Sequence, residues 1–176
     1  MLKRAYNHGL PFLLAGALVL LDQYTKVLVR AAVPLNGTWS PWPWLLPYAR
    51  ILHIQNTGAA FGLFKDAGLF FLIIGIVVSL VIILYALRLP PGHTWMRIAL
   101  GMQLGGALGN LIDRLLFGPV TDFISVGNFA IFNVADASIS VGTALLALLM
   151  LVEARAERRQ PDTGSTLPPV DLGEAS

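Results

Sequence analysis

The chain has 176 residues, of which 56% are hydrophobic and only 12% are charged, and its mean hydropathy is positive. This composition is too apolar for an ordinary soluble domain of the same length and predicts a membrane protein. There is no cysteine, which excludes disulfides, a thiolate nucleophile and cysteine-based metal sites. The formal charge is +2 and the cations are scattered singly, so we expect no nucleic-acid partner.

Four apolar segments approach the roughly 20 residues that a helix needs to cross the hydrocarbon core of a bilayer. The first begins near Gly9 and contains Asp22 and Lys26. A cleaved signal peptide is the alternative interpretation of this segment, but no small-x-small cleavage site follows its apolar stretch, so we interpret it as a span. The predicted spans cover about residues 9–30, 69–87, 95–117 and 133–152.

The cations that flank the spans predict the orientation, because lysine and arginine concentrate on the cytoplasmic side. We place both termini in the cytoplasm and the segments 31–68 and 118–132 outside. The predicted organisation is a four-helix membrane domain at residues 1–154 and a polar, disordered cytoplasmic tail at residues 155–176. The cations assigned to the cytoplasm are Lys3, Arg4, Arg88, Arg97, Arg155, Arg158 and Arg159, and those assigned outside are Arg30, Arg50 and Lys65.

The two external segments contain β-rich stretches. Residues 51–56 predict a short strand, and residues 120–126 and 129–132 predict a hairpin that turns at Gly127-Asn128. We therefore expect an all-α membrane protein with a small external β element. Tryptophans alternate with prolines in the first segment, which favours an aromatic belt at the lipid headgroups over a ligand site. These tryptophans are Trp39, Trp42 and Trp44.

Ionisable side chains inside or beside the spans are functional candidates, because a charge at bilayer depth costs at least ~2.5–3.5 kcal/mol on insertion scales. With the predicted orientation, all of these groups fall toward the external ends of their helices. A site between helices at the outer leaflet requires such a convergence, whereas scattered structural polar residues do not. The candidates are Asp22 and Lys26 in the first span, Asn110, Asp113 and Arg114 in the third, Asp122 after it, and Asn133 and Asp136 at the start of the fourth.

Each of these groups also has a purely structural interpretation. Asp22 and Lys26 are four residues apart, which suits an intrahelical ion pair. Arg114 suits a snorkelling charge at a helix end. Asn133 suits the N-cap of the fourth helix, with Asp136 at the third position of a capping box and its ionised form favoured by the helix dipole. Small residues repeat every four positions along the third span and predict close helix packing. They are Gly101, Gly105 and Gly109.

The inventory of reactive groups favours chemistry by the pair Asp122 and Asp136. The predicted topology separates His53 from His8 and His93, so we expect no multi-histidine zinc site and no histidine-activated nucleophile. Two carboxylates held close in a medium of low dielectric constant share a proton, and one acts as base while the other acts as acid. Such a pair requires no metal and no cofactor. Proton-relay carboxylates of a transporter have the same composition, and a non-catalytic membrane scaffold is a third hypothesis.

At these residues the sequence resembles the bacterial lipoprotein signal peptidases, also called signal peptidase II. The resemblance extends from the first predicted span to the fourth, and its blocks occur in one order on the predicted topology. The matching blocks are DQYTK at 22–26, NTGAAFG at 56–62, GGALGNLIDR at 105–114, VTDF at 120–123 and FNVAD at 132–136.

The resemblance implies an aspartic endopeptidase of the bacterial cytoplasmic (inner) membrane, which cleaves prolipoproteins before a diacylglyceryl-modified cysteine. It implies four transmembrane helices, a small periplasmic β-cradle and an active site toward the outer leaflet. Prolipoproteins and membrane lipids are the expected partners, and we expect a monomer. By position, Asp122 and Asp136 are the catalytic pair. The residues implied to bind substrate or support the site are Asn133, Asn56, Gly58, Asn110, Asp113, Arg114, Asp22 and Lys26.

Overall fold

A computed structural model describes residues 2–58 and 67–158. Part of the motif at 56–62 and the predicted tail beyond residue 158 lie outside the described residues. The last helix continues to Glu157, past the predicted domain boundary at residue 154. In chain order the elements are α1 (Leu2–Ala32), β1 (Thr38–Trp39), a single 3-10 turn (Pro43–Leu45), β2 (Ala49–Asn56), α2 (Gly68–Arg88), α3 (Thr94–Leu116), β3 (Val120–Val126) and α4 (Val134–Glu157).

Three of the described helices contain segments that are long and apolar enough to cross a membrane. In α2, for example, Leu80 and Val81 are more than half exposed, while Ser79, Ile82 and Ala86 form its buried face. A helix that presents apolar side chains outward requires an apolar solvent. The three segments are Gly9–Ala32, Gly68–Arg88 and Val134–Ala156.

The third helix, α3, is not among these apolar segments, so the predicted number of four spans is not confirmed. Its composition is more polar because α3 packs against α1, α2 and α4 and faces them with polar and small side chains. Arg97 and Asp113, near its two ends, are fully buried. α3 is therefore the central helix, and each of the other three helices packs against it.

Glycines allow α3 to approach its neighbours closely, as predicted from their spacing. A Cβ atom added at Gly105 would lie 2.8 Å from the Cβ of Leu18 on α1. The other two glycines of the predicted stripe meet α1 in the same way. On the adjacent face, a Cβ at Gly106 would collide with the carbonyl oxygen of Ala135 on α4. These contacts bring the start of α4 against the last turns of α3.

The strands form one antiparallel sheet in the order β1–β2–β3, which confirms the predicted small β element. β2 begins two residues before the predicted strand, and β1 lies within the tryptophan-rich segment. The predicted hairpin is wrong in its second strand. After the turn at Gly127-Asn128, pairing continues as an isolated bridge between Ile124 and Phe132. The strand cannot extend further because Asn133, the next residue, is the N-cap of α4.

Candidate active site

Asp122 and Asp136 reach the same cavity from different elements. Asp122 lies on β3 and is 3% exposed, whereas Asp136 lies in the first turn of α4 and is partly buried. Both line a cavity of about 520 Å³ between the sheet and the ends of α3 and α4. The structure thus brings together the two aspartates that the sequence analysis paired.

Asn133 contacts both aspartates, the Asp122 carboxylate through its side chain and the Asp136 carboxylate through its backbone. The Oδ1 of Asn133 accepts a hydrogen bond from the Asp136 backbone N–H at 2.9 Å. The backbone N–H of Asn133 donates to Asp136 Oδ2 at 3.2 Å. The predicted capping box at the start of α4 is therefore present. The Nδ2 of Asn133 donates to Asp122 Oδ1 at 2.7 Å. Capping the helix and orienting the aspartates are consequently functions of the same residue.

Two further amides bind the remaining carboxylate oxygens. Asn56 Nδ2 on β2 donates to Asp122 Oδ2 at 2.8 Å, and Asn110 Nδ2 on α3 donates to Asp136 Oδ1 at 2.7 Å. The backbone N–H of Gly58 donates to Asn56 Oδ1 at 3.0 Å, which fixes the orientation of that amide. Every carboxylate oxygen of the pair therefore accepts a hydrogen bond, and these bonds stabilise the ionised form.

Burial raises the pKa of Asp122 to about 6, from an ordinary value of 3.8. The charge of Asp136 raises this pKa further, whereas the hydrogen bonds from Asn56 and Asn133 oppose the shift. Asp122 can thus gain or lose a proton close to neutral pH, as a member of a proton-sharing pair requires.

A buried ionic cluster lies behind the two aspartates. Lys26 Nζ lies 2.8 Å from Asp22 Oδ2 and 3.1 Å from Asp113 Oδ2, and all three residues are fully buried. The predicted intrahelical pair of Asp22 with Lys26 is present, but α3 shares the cation. Lys26 also donates to Asn110 Oδ1 at 3.1 Å, which leaves the Asn110 amino group directed at Asp136.

The two carboxylates of this cluster also hold the backbone that carries the site. Asp22 Oδ1 accepts a hydrogen bond from the backbone N–H of Ala135, and Asp113 Oδ2 accepts one from that of Thr121, both at 2.9 Å. Ala135 and Thr121 immediately precede Asp136 and Asp122 in the chain. Each buried carboxylate therefore fixes the residue before one member of the candidate catalytic pair.

Three residues of this arrangement had no assigned role in the sequence analysis. Gln23 Nε2 donates to Asp22 Oδ2, Asp113 Oδ1 and the carbonyl oxygen of Gly109, at 3.0–3.2 Å. Its position within the DQYTK block was an available signal. The other two, Arg30 and Thr121, join through a hydrogen bond of 2.9 Å, and Arg30 had been interpreted solely as a flanking cation.

Arg114 and several apolar residues form the walls of the cavity. The Arg114 guanidinium lies 5.5 Å from the centroid of the Phe71 ring, and its Nη1 donates weakly to the carbonyl oxygen of Asn110 at 3.4 Å. Arg114 thus lines the cavity and contacts Phe71 on α2. Gly58 and Asn56 also line the cavity. The cavity is also lined by Phe129, Ile131, Phe132, Ile139 and Val141.

His53, the histidine predicted to lie in an external segment, does not line the cavity. His53 is buried on β2, and its Nδ1 lies 2.8 Å from the carbonyl oxygen of Val33, just after α1. Among residues 2–58 and 67–158, no three histidine, aspartate or glutamate side chains are grouped to hold a metal ion. Among the same residues, the polar side chains that line the cavity are two carboxylates, two amides, one guanidinium and the hydroxyl of Ser140.

Apolar helices, a buried carboxylate pair and a cavity between helices define a membrane protein with an enzyme-like site. Residues 14–152 match the family model of signal peptidase (SPase) II. The chain belongs to the signal peptidase II family, which confirms the family predicted from the sequence blocks.

Individual relatives are similar over most of the chain. The lipoprotein signal peptidase of Moorella thermoacetica is 37% identical over 153 residues, which cover 86% of this chain and 100% of that protein. The lipoprotein signal peptidase of Mesorhizobium japonicum is 41% identical over 150 residues, covering 82% and 87%. A bacterial membrane enzyme solved by the in meso method at 2.3 Å superposes with a TM-score of 0.79 at 29% identity, covering 86% and 93%. These comparisons identify a membrane protease family and give no support to the transporter hypothesis.

Proposed function

We propose that this chain is an aspartic endopeptidase that removes signal peptides from diacylglyceryl-modified prolipoproteins. Cleavage falls before the lipidated cysteine, as the motif resemblance implies. The observation that carries the proposal is the shared cavity of Asp122 and Asp136, whose carboxylates are joined by Asn133. The names of the curated relatives support the choice of prolipoproteins as substrates.

In the proposed mechanism the two aspartates hold one proton between them. The ionised carboxylate takes a proton from a water molecule as its oxygen attacks the scissile carbonyl carbon, and the protonated partner donates a hydrogen bond to the carbonyl oxygen. The C–N bond then breaks and the departing amine takes a proton from the pair. The products are the carboxyl group of the signal peptide and the amino group of the lipidated cysteine. Asn56, Asn110 and Asn133 hold both carboxylates in position for these transfers.

The shape of the cavity supports a substrate that arrives within the membrane. Its wall on α4 includes Ile139, Ser140 and Val141, and Val141 is more than half exposed on the apolar surface of the helix. A peptide that is itself a membrane segment can reach the aspartates past this wall without leaving the bilayer. Membrane lipids are therefore the second class of partner, and the expectation of a monomer stays a prediction.

We further propose that α3 is the fourth transmembrane helix. Its 23 residues span about 34 Å, which exceeds the hydrocarbon thickness of roughly 30 Å. Its two fully buried charged residues contact protein groups and not lipid: Arg97 donates to carbonyl oxygens at the end of α2, and Asp113 pairs with Lys26 on α1. The resulting unit comprises residues 1–157, because α4 continues to Glu157.

The proposed setting is the bacterial inner membrane, with both termini in the cytoplasm and the aspartates toward the outer leaflet. The distribution of lysine and arginine beside the spans supports this orientation. The tryptophan-rich segment follows α1 at the end of the helix that contributes to the site. Trp42 and Trp44 are 55% and 66% exposed and stack at 5.8 Å, which suits the headgroup region.

The deciding experiment compares cleavage of a diacylglyceryl-modified prolipoprotein with cleavage of its unmodified form by the purified protein. We expect cleavage of the modified form, and loss of this activity in Asp122→Asn and in Asp136→Asn. Glu153→Gln, at the far end of α4, is the matched carboxylate-to-amide control and should remain active. Substantial turnover by both aspartate variants would contradict the mechanism, and cleavage of neither form by the wild type would contradict the function.

A further inference from the structure

The turn between α3 and β3 leads directly to Asp122. It starts at Phe117, the residue that follows α3, and passes through Gly118, whose φ of +86° is a conformation that favours glycine. β3 begins two residues later, and Asp122 is its third residue. The position of the Asp122 carboxylate therefore depends on how firmly this turn is held.

Arg30, near the end of α1, contacts the turn on both sides. Its guanidinium carbon lies 4.5 Å from the centroid of the Phe117 ring, and its Nη1 donates to Thr121 Oγ1 at 2.9 Å. One side chain thus joins α1 to the first residue of the turn and to the residue before Asp122. Thr121 is 3% exposed, so water has little access to replace this hydrogen bond.

Asp113 connects the same residues by a second route. Its Oδ2 accepts the backbone N–H of Thr121 at 2.9 Å, and its Oδ1 lies 3.7 Å from Arg30 Nη1. Asp113 is fully buried, whereas the Arg30 side chain is 23% exposed at the edge of the cluster. Both the backbone and the side chain of Thr121 are therefore fixed by charged groups.

The sheet alone holds this part of β3 less firmly. Asp122 pairs with Ile54, but the register of β2 against β3 shifts between Ile51 and Ile54. Such an irregularity interrupts the ladder of hydrogen bonds beside the paired residue. The contacts of Arg30 supply restraint from the opposite side of Asp122.

We propose that Arg30 is a positioning residue for Asp122: it clamps the α3–β3 turn against α1 and so sets the carboxylate of Asp122 relative to Asp136. This inference rests on the proposed peptidase function. Arg30 is not among the residues that line the cavity, so it acts through Thr121 and Asp113 and leaves substrate binding unchanged.

The first test is the kinetics of Arg30→Met on a diacylglyceryl-modified prolipoprotein. Because misplacement of a catalytic group by a fraction of an ångström to 1 Å lowers the rate strongly, we expect kcat to fall roughly 10- to 100-fold with KM unchanged. Arg30→Lys should recover part of the rate, since its ammonium can still donate to Thr121. Arg50→Met is the matched control and should be as active as the wild type. A raised KM with unchanged kcat would overturn the proposal.

The second test is a double-mutant cycle with Thr121→Val, which removes the acceptor while preserving the shape of the side chain. If the two residues act as one clamp, Arg30→Met adds little further loss of kcat in the Thr121→Val background. Independent roles would make the two losses multiply, and that result would contradict the clamp. Thr121→Val and Arg30→Lys also keep the test decisive if Arg30→Met does not fold.

Hydrogen–deuterium exchange separates the clamp from the peptidase function. We expect faster exchange over residues 118–126 in Arg30→Met and Thr121→Val than in the wild type or in Arg50→Met. Unchanged exchange in this segment would overturn the clamp, whatever the activity. Failure of the wild type to cleave any prolipoprotein would instead overturn the proposed function.

Discussion

At the scale of single residues, Asp122 makes a contribution to stability that depends on pH. Burial, followed by the charge of Asp136, raises its pKa in the folded protein to about 6, above the ordinary value of 3.8. The folded state therefore binds the proton more tightly than the unfolded state does. The stabilisation from this difference is complete below pH ~4 and is lost as the pH rises through about 6. The difference between a pKa of about 6 in the folded protein and 3.8 in the unfolded chain corresponds to roughly 3 kcal/mol.

The variant Asp122→Asn should lack this pH dependence, because it carries no titrating group at that position. We expect the melting temperature of the wild type to fall relative to that of Asp122→Asn as the pH rises from 4 to 6.5, and to level off above that. Thermal unfolding in detergent at a series of pH values measures the difference. Two curves that stay parallel across this range would contradict the raised pKa.

Asn133 combines a helix cap with the orientation of the aspartates, and two substitutions separate these functions. Serine is a good N-cap but is too short to reach Asp122, so Asn133→Ser should retain most of the stability and lose most of the activity. Asn133→Ala should lose activity as well and about 1 kcal/mol of helix capping in addition. Melting temperatures and kcat of both variants give the comparison. Full activity in Asn133→Ser would show that the contact between Asn133 and Asp122 is unimportant.

At the scale of elements, the fit of α3 against α4 depends on the missing side chain of Gly106. A methyl group there would collide with the carbonyl oxygen of Ala135, next to Asp136. We expect Gly106→Ala to destabilise the protein by at least ~1–3 kcal/mol and to lower activity. Gly16→Ala on the exposed face of α1 meets nothing within 4 Å and should be neutral or slightly stabilising. Equal melting temperatures for the two variants would argue against close packing at Gly106.

Local signals predicted the elements better than the contacts between them. The capping box of α4 could be predicted because its two residues lie three positions apart, and the strand at 51–56 because its residue types favour β structure. The contact of Gln23 with Asp113 joins residues 90 positions apart, so no local pattern contains it. The second strand of the hairpin was predicted wrongly because residue types at 129–132 favour β structure, whereas Phe132 alone of these residues forms a bridge with β3.

In the candidate site, too, individual residues could be predicted from the sequence, whereas contacts between distant residues could not. Charged residues within apolar segments are costly, and this alone selected Asp22, Lys26, Asp113 and Asp136. Arg30 was not predicted to be a site residue, because arginine commonly flanks membrane spans. Its contact with Thr121 becomes visible once β3 is docked beside α1.

At the scale of the whole molecule, the orientation in the membrane can be measured directly because the chain contains no cysteine. A cysteine introduced by Tyr48→Cys, in the exposed segment before β2, should react with a membrane-impermeant maleimide added from the periplasmic side. One introduced by Pro91→Cys, in the exposed turn between α2 and α3, should react from the cytoplasmic side alone. Labelling of both from one side would contradict the proposed four-span topology.

Arg97 bears on the order in which this protein assembles during its synthesis. It is fully buried and donates to the carbonyl oxygens of Ala86, Leu89 and Pro90, all within 11 positions of the chain. The α2–α3 turn can therefore close soon after Arg97 leaves the ribosome. Asp136 arrives later, with the last helix. On the proposed mechanism, the nascent chain therefore lacks its second catalytic aspartate until α4 has been made and has docked, and we expect no proteolysis before that step.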